Sequence, residues 1–78
     1  MIKIILPQLG EGISKATLAY WHVKEGDIVR VGDEVCEVTT DKASFNIEAP
    51  ANGRLKSIAV KQGQDGTVGD VLGMIEQV

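Results

Sequence analysis

Lys42 is the residue of this chain whose type and surroundings point most directly to chemistry. It lies between Asp41 and Ala43 in residues 38–45 (VTTDKASF), a segment that reads as a β-hairpin with Asp41 and Lys42 at its tip. An exposed lysine amine is a poor base near neutral pH, because its unperturbed pKa is about 10.4. The same amine can attack an activated acyl group once an enzyme encloses and desolvates the tip. The pattern therefore predicts a covalent attachment point at Lys42, with an ordinary exposed lysine as the alternative.

The residues on both sides of the tip support one pairing register of this hairpin. The predicted facing pairs are Val38 with Phe45, Cys36 with Ile47, Thr39 with Ser44, and Glu37 with Asn46. Apolar residues then meet on one face and polar residues on the other, and a slip of one residue would reverse both faces. The tip contains no Gly or Asn, so a type I turn or a slightly longer loop is expected rather than a primed turn.

The rest of the chain reads as short β-strands separated by glycine-containing turns. Two parts of the sequence also resemble each other. The matching segments are residues 23–26 (VKEG) with 60–63 (VKQG), residues 31–33 (VGD) with 68–70 (VGD), and alternate residues of 2–7 with those of 45–50. We therefore predict an all-β domain with a quasi-two-fold, built as two facing sheets of about four strands or as a flattened β-barrel.

The two-fold predicts where the ends of the chain lie relative to Lys42. The strand entering the tip corresponds to residues 71–77, and the strand leaving it corresponds to residues 1–6. Both termini should therefore lie side by side at the end opposite Lys42. The loop at residues 8–14 should lie near Lys42, and it is longer than its counterpart at residues 51–53.

The bulk composition excludes several classes of protein. Seventy-eight residues, 1–78, make one small domain, and the net charge of -3 argues against binding to nucleic acid or to an anionic membrane. The longest apolar runs are too short to span a bilayer, and neither a signal peptide nor a transit peptide is evident. The single cysteine suits a reducing compartment. The chain is either a free-standing protein or one domain of a longer one.

Catalytic and metal-binding patterns are missing from the sequence. Cys36 and His22 lie on different predicted strands, so Cys36 reads as a small buried hydrophobe and His22 as a surface or edge residue. Trp21 reads as a packing residue. No cluster of His and Cys has the spacing of a metal site. We therefore predict no catalytic residues and no metal ligands, and a carrier or binding module rather than an enzyme.

The motifs together resemble the lipoyl domain of 2-oxoacid dehydrogenase acyltransferases (E2). The specific part is Asp41-Lys42-Ala43 at the tip, and the resemblance covers nearly the whole chain. The supporting segments are residues 6–12 (LPQLGEG), 21–27 (WHVKEGD), 31–33 (VGD) and 49–53 (APANG). Thr39 and Thr40 precede Asp41, where many members of the family carry Glu two residues before the Asp, a difference expected to alter partner preference only.

This resemblance implies a flattened barrel of two four-stranded antiparallel sheets (a barrel-sandwich hybrid) with lipoic acid amide-linked to Lys42. Asp41 and Ala43 would then serve as recognition residues beside the modified lysine. The implied partners are a lipoate ligase or lipoyl transferase, a thiamine-dependent 2-oxoacid decarboxylase (E1), the acyltransferase core (E2) and dihydrolipoamide dehydrogenase (E3). The decarboxylase would read the loop at residues 8–14. The implied location is the bacterial cytoplasm or the mitochondrial matrix.

Three alternatives to a lipoyl carrier stay open at this point. A biotin carboxyl carrier shares the fold, but those domains typically flank the lysine with methionines, and Met1 and Met74 lie elsewhere. A glycine-cleavage carrier is usually longer, with added helices. An unmodified barrel acting as an interaction module would carry no covalent group on Lys42. The sequence does not distinguish among pyruvate, 2-oxoglutarate, branched-chain and acetoin systems.

Overall fold

A computed structural model describes residues 1–77 as eight short β-strands, which confirms the predicted all-β class. Buried and more exposed residues alternate along most of them, as expected of strands with one face in the core. The strands are β1 (Ile2–Ile5), β2 (Lys15–Trp21), β3 (Ile28–Val29), β4 (Glu34–Thr39), β5 (Ser44–Glu48), β6 (Gly53–Ile58), β7 (Asp65–Thr67) and β8 (Val71–Glu76). This described part of the chain has no helix long and apolar enough to cross a membrane.

The strands form two antiparallel sheets of four strands each. The order in one sheet is β1-β8-β6-β3, and the order in the other is β5-β4-β2-β7. Side chains from both sheets form one core, in which Leu18, Val38, Leu55 and Ile75 are almost fully buried. The molecule measures 36 × 21 × 17 Å along its principal axes, so the predicted flattened barrel of two four-stranded sheets is confirmed.

The predicted quasi-two-fold is visible in the turns. Gly26 and Gly63 stand at equivalent places in the repeated segments, and both have positive φ, 96° and 87°. The N–H of Gly26 donates to the carbonyl of Leu55 at 2.7 Å, and the N–H of Gly63 donates to the carbonyl of Leu18 at 2.8 Å. Each half therefore ties its turn to the central strand of the other half. The positive φ explains why both positions hold glycine.

Bulges shift the strand pairing at places that the sequence prediction did not identify. The register changes between residues 18 and 20 of β2 and between residues 55 and 57 of β6, which are equivalent positions in the two halves. A further shift between Glu34 and Cys36 lets the neighbouring Val35 and Cys36 both be buried. Each bulge adds one residue on one strand and increases the local twist, which helps the sheets to curve around the core.

The strand pairing shows which parts of the chain lie at each end of the barrel. Ile2 at the start of β1 pairs with Ile75 near the end of β8, so these two strand ends lie side by side. β1 leads from there to Leu6, whose N–H donates to the carbonyl of Asp70 in the turn between β7 and β8. β7 pairs with the start of β2, which lies beside Thr39 at the tip of the β4–β5 hairpin. The strand ends Ile2 and Ile75 therefore lie away from the hairpin tip, as the two-fold predicts.

Candidate functional site

The β4–β5 hairpin carries Lys42 at its tip, in the predicted register. The observed pairs are Cys36 with Ile47, Glu37 with Asn46, Val38 with Phe45, and Thr39 with Ser44. Cys36, Val38 and Ile47 face the core, and Phe45 packs against it. The hairpin is therefore anchored by its inner face, and the tip is held in a fixed place by strands that belong to the core.

Residues 40–43 form the tip itself, and Asp41, Lys42 and Ala43 are all exposed. The N–H of Thr40 donates to the carbonyl of Ala43 at 2.8 Å. The backbone N–H groups of Lys42 and Ala43 donate to the hydroxyl oxygen of Thr40 at 3.2 and 3.1 Å. Within residues 1–77 no residue other than glycine has a positive φ, which agrees with the expected absence of a primed turn. Asp41 and Ala43, the residues predicted to serve in recognition, thus flank an exposed lysine on a turn without positive φ.

A groove opens beside Lys42, with a volume of about 530 Å³. Its walls come from four parts of the chain: the hairpin tip with Thr40, the loop that precedes β2, the start of β2 with Lys15 and Thr17, and β7 with Asp65. The hydroxyl of Thr17 donates to the Asp65 carboxylate at 2.6 Å, a short charge-assisted bond that joins β2 to β7 across the groove. The amine therefore projects from a tip with free space beside it, which leaves room for an attached arm.

The loop at residues 8–14 forms one side of this groove, as predicted from the two-fold. Gly12, Ile13 and Ser14 line the groove together with Lys42. The Gln8 side chain donates to the carbonyls of Gly10 and Ile13, the latter at 3.3 Å, so the loop is braced from within. A partner that approaches Lys42 would therefore meet this loop as well.

The remaining reactive side chains lie away from the tip. Cys36 is fully buried, and burial raises the pKa of its thiol to about 12. His22 is exposed, and its Nε2 lies 3.0 Å from Oδ1 of Asn46. Trp21 packs against the core and donates its indole N–H to the carbonyl of Val60 at 2.8 Å. All three therefore have the packing or surface roles predicted for them.

Within residues 1–77 no group of three or more His, Cys, Asp and Glu side chains is placed to hold a metal ion.

Two features of the site were missed by the sequence analysis. Thr40 supplies the hydroxyl that organises the turn, and a threonine two residues before a tip lysine is a recognisable signal for such side-chain-capped turns. Asp65 lies far from Lys42 in sequence and reaches the groove only through the pairing of β7 with β2. No local pattern could have identified it.

Comparisons with known proteins agree on one family. The biotin/lipoyl family model, described as "Biotin-requiring enzyme", matches residues 2–75. The chain is 40% identical over 77 residues to the dihydrolipoyllysine-residue succinyltransferase component of the 2-oxoglutarate dehydrogenase complex of Rickettsia typhi. It is 41% identical over 76 residues to the acetyltransferase component of the pyruvate dehydrogenase complex of Mycoplasma capricolum. It spans only 19% and 17% of the length of these relatives.

Two solved structures match nearly end to end. One is the lipoyl domain of the 2-oxoglutarate dehydrogenase complex from Azotobacter vinelandii, with a TM-score of 0.78 and 30% identity over 99% of this chain and 98% of that one. The other is the lipoyl domain from the dihydrolipoyl succinyltransferase of Escherichia coli, with a TM-score of 0.77 and 37% identity over 99% and 96%. These matches include the strands and turns that position the hairpin tip.

Proposed function

The chain belongs to the biotin/lipoyl attachment family, among its lipoyl domains, and from that premise we propose that Nζ of Lys42 forms an amide with lipoic acid. The observation that carries this proposal is the placement of Lys42. Its side chain is exposed at the tip of a hairpin whose inner face is anchored in the core, beside an open groove. A modifying enzyme can enclose such a tip without unfolding the strands of the hairpin.

The chemistry asked of Lys42 is simple. The neutral amine attacks the carbonyl carbon of an activated lipoate, the C–N bond forms, the activating group leaves and the amine proton passes to solvent. Asp41 and Ala43 flank the amine and are exposed, so an enzyme can read a charge on one side and a small residue on the other. The same two neighbours distinguish this tip from that of a biotin carrier, where methionines flank the lysine.

A bound lipoyl group would supply the disulfide that accepts an acyl group together with two electrons. In our proposal the domain itself catalyses no step. Its barrel holds the attachment point away from the core, while the fold presents the loop at residues 8–14 beside the arm. The hydrogen bonds of Gln8 keep that loop in a defined shape that a partner can recognise.

We further propose the setting in which the domain works. Residues 1–78 would form one domain of an acyltransferase chain, because the matched relatives are about five times as long. The partners would be a lipoate ligase or lipoyl transferase, a 2-oxoacid decarboxylase, the acyltransferase core and dihydrolipoamide dehydrogenase. A tether would raise the local concentration of the arm at each active site. The relatives named above come from bacteria, which supports the bacterial cytoplasm as the location.

The test is modification of the purified chain in two parallel reactions. One contains lipoate, ATP and a lipoate–protein ligase, and the other contains biotin, ATP and a biotin ligase. Intact mass followed by peptide mapping should show one lipoyl group on Lys42 and no biotin. Uptake of biotin alone would move the protein to the biotin carriers, and no uptake by folded protein would favour an unmodified interaction module.

The class of 2-oxoacid is tested with the modified protein. Relatives from 2-oxoglutarate and pyruvate complexes match the chain at nearly the same identity, 40% and 41%. Lipoylated protein is therefore offered to a 2-oxoglutarate decarboxylase and to a pyruvate decarboxylase component with their substrates. The rate of acylation, read by mass, identifies the cognate enzyme as the faster of the two.

A further inference from the structure

The hydroxyl of Thr40 takes the place of a backbone carbonyl in the turn that carries Lys42. In a two-residue hairpin turn, the residues that flank the tip exchange two backbone hydrogen bonds. Here only one of these bonds is formed between backbone atoms, from the N–H of Thr40 to the carbonyl of Ala43 at 2.8 Å. The returning N–H of Ala43 donates to Oγ1 of Thr40 at 3.1 Å instead. A side chain therefore closes the turn.

The same hydroxyl also binds the residue that would be modified. The N–H of Lys42 donates to Oγ1 of Thr40 at 3.2 Å, and the hydroxyl lies 3.2 Å from the carbonyl of Ala43 as a donor. A hydroxyl has one donor and two acceptor sites, and Thr40 uses all three within the turn. The backbone on both sides of the Lys42 Cα is thus tied to one atom, which sets the direction in which the side chain leaves the backbone.

We propose that Thr40 is a positioning residue for the modification of Lys42, an inference that rests on the proposed function. A ligase must receive Nζ at one place relative to the activated acyl group. The exposed tip contains no glycine or proline to define its shape, so the Thr40 hydroxyl restricts it in their place. A turn that is ordered before binding spares the enzyme the loss of chain entropy on binding.

Thr39 provides a matched comparison one residue away. It pairs with Ser44 as the last residue of β4 and lies half-buried, as Thr40 does. Valine has nearly the shape of threonine without the hydroxyl. Thr40→Val therefore removes the capping oxygen, and Thr39→Val makes the same chemical change outside the turn. Thr40→Ser keeps the oxygen and removes only a methyl group.

The experiment compares the steady-state kinetics of lipoylation of the wild type and these three variants by a lipoate–protein ligase. We expect Thr40→Val to raise the KM for the domain about five- to twentyfold with kcat nearly unchanged, since the three hydrogen bonds of the Thr40 hydroxyl that pre-order the tip are lost. Thr40→Ser and Thr39→Val should stay within about twofold of the wild type. Amide hydrogen exchange of Lys42 and Ala43 should be faster in Thr40→Val alone, while urea unfolding shows that all variants are folded.

The outcomes separate this inference from the proposed function. If Thr40→Val is modified with the same kcat/KM as Thr39→Val, Thr40 does not position Lys42. The inference also fails if Thr40→Ser is as poor a substrate as Thr40→Val, because the oxygen is then irrelevant. A wild-type protein that takes up no lipoate at all would overturn the proposed function, and this inference with it.

Discussion

The barrel contains two equivalent outer strand pairs, and only one of them ends in a turn. Val38 of β4 pairs with Phe45 of β5, and at the equivalent place Ile75 of β8 pairs with Ile2 of β1. Both pairs contribute side chains to the same core. In the first pair the strands are joined by the Lys42 tip, whereas β8 and β1 are held together by pairing alone. The core therefore requires the strand pairs but not the turn, which leaves the turn free for chemistry.

The remaining turns show how closely the two halves agree elsewhere. The N–H of Arg30 donates to the Asp33 carboxylate at 2.9 Å, and the N–H of Thr67 donates to the Asp70 carboxylate at 2.8 Å. Such aspartate-capped turns are set by local sequence, so the repeated Val-Gly-Asp segments fold alike. The turns and loops of the two halves thus differ mainly at the hairpin tip and in the loop at residues 8–14. Both of these lie at one end of the molecule.

The largest effect is expected where the two halves differ most, at Lys42. Lys42→Arg should abolish lipoylation, because a guanidinium stays protonated and cannot act as the amine nucleophile. Its free energy of unfolding should stay within about 0.5 kcal/mol of the wild type, as for most surface substitutions. Intact mass after incubation with ligase, lipoate and ATP measures lipoylation, and urea unfolding measures the free energy of unfolding.

Lys56→Arg is the matched control for that change, since Lys56 is exposed on β6, away from the tip. It should be lipoylated like the wild type. Lipoyl mass remaining on Lys42→Arg would show that another lysine is the attachment point, and a large loss of stability would show that the tip supports the core after all.

The sequence predicted the hairpin well because its two faces are chemically distinct. Alternating apolar and polar residues on both strands leave one register in which both faces match, and that register is observed for Val38 with Phe45 and for Thr39 with Ser44. The quasi-two-fold was also predictable, because glycines at equivalent places such as Gly26 and Gly63 report backbone conformations that other residues rarely adopt.

Gly53 and Gly66 lie on equivalent strand pairs but differ in the space beside their Cα atoms. Gly53 on β6 pairs with Val29 of β3, and Gly66 on β7 pairs with Ala16 of β2. A Cβ on Gly53 would lie 2.4 Å from the carbonyl oxygen of Glu76, whereas a Cβ on Gly66 would have nothing nearer than 3.6 Å. Gly53→Ala should therefore lower the free energy of unfolding by about 3 kcal/mol. Gly66→Ala should change it by less than about 1 kcal/mol.

Urea unfolding of both variants checks this pair of expectations. Lipoylation of the folded fraction should be normal in both, because neither glycine lies at the Lys42 tip. Equal stability of the two variants would mean that β8 can move away from Gly53 at little cost.

Cys36 titrates in one half only, because the equivalent residue of the other half is Gly73, which has no side chain to ionise. Burial raises the pKa of the Cys36 thiol from 9.0 to about 12. Below pH 9 the thiol is protonated in both states and adds no pH dependence. Between pH 9 and 12 only the unfolded chain ionises, so stability should fall by up to about 1.36 kcal/mol per pH unit.

Urea unfolding of the wild type and Cys36→Ala between pH 8 and 10.5 measures this contribution. The stability difference between the two proteins should be constant up to about pH 9 and should then shift in favour of the variant as the pH rises. A difference that stays constant across the whole range would mean that the thiol ionises as easily in the folded protein as in the unfolded chain.

Other features could not be predicted because they depend on distant parts of the chain meeting. Trp21 was expected to pack, but its partner could not be named: a Cβ on Gly73 would lie 3.0 Å from Cη2 of Trp21. A tryptophan of one half therefore lies against a glycine of the other half, a contact that only the folded chain reveals. The place of Asp65 in the groove beside Lys42 arises in the same way, from the pairing of β7 with β2.

The smallest effect is expected from the loop at residues 8–14, the second place where the halves differ. Gln8→Ala removes the donor that braces the carbonyls of Gly10 and Ile13, so the loop beside Lys42 should become less ordered. Asn52→Ala is the matched control, because Asn52 accepts the N–H of Val31 at 2.8 Å and braces the equivalent short loop at the other end. Both side chains are exposed, so both variants should fold.

We expect Gln8→Ala to lower the rate of acylation by the cognate decarboxylase about fivefold, since the partner must order the loop on binding. Lipoylation of Gln8→Ala and both reactions of Asn52→Ala should stay within about twofold of the wild type. Mass measurement of lipoylation and of subsequent acylation gives the two rates on the same samples. Equal losses of both rates in Gln8→Ala would make the loop a support for the tip. An effect on acylation alone would make it a recognition surface, because the amine and its turn are then unaffected.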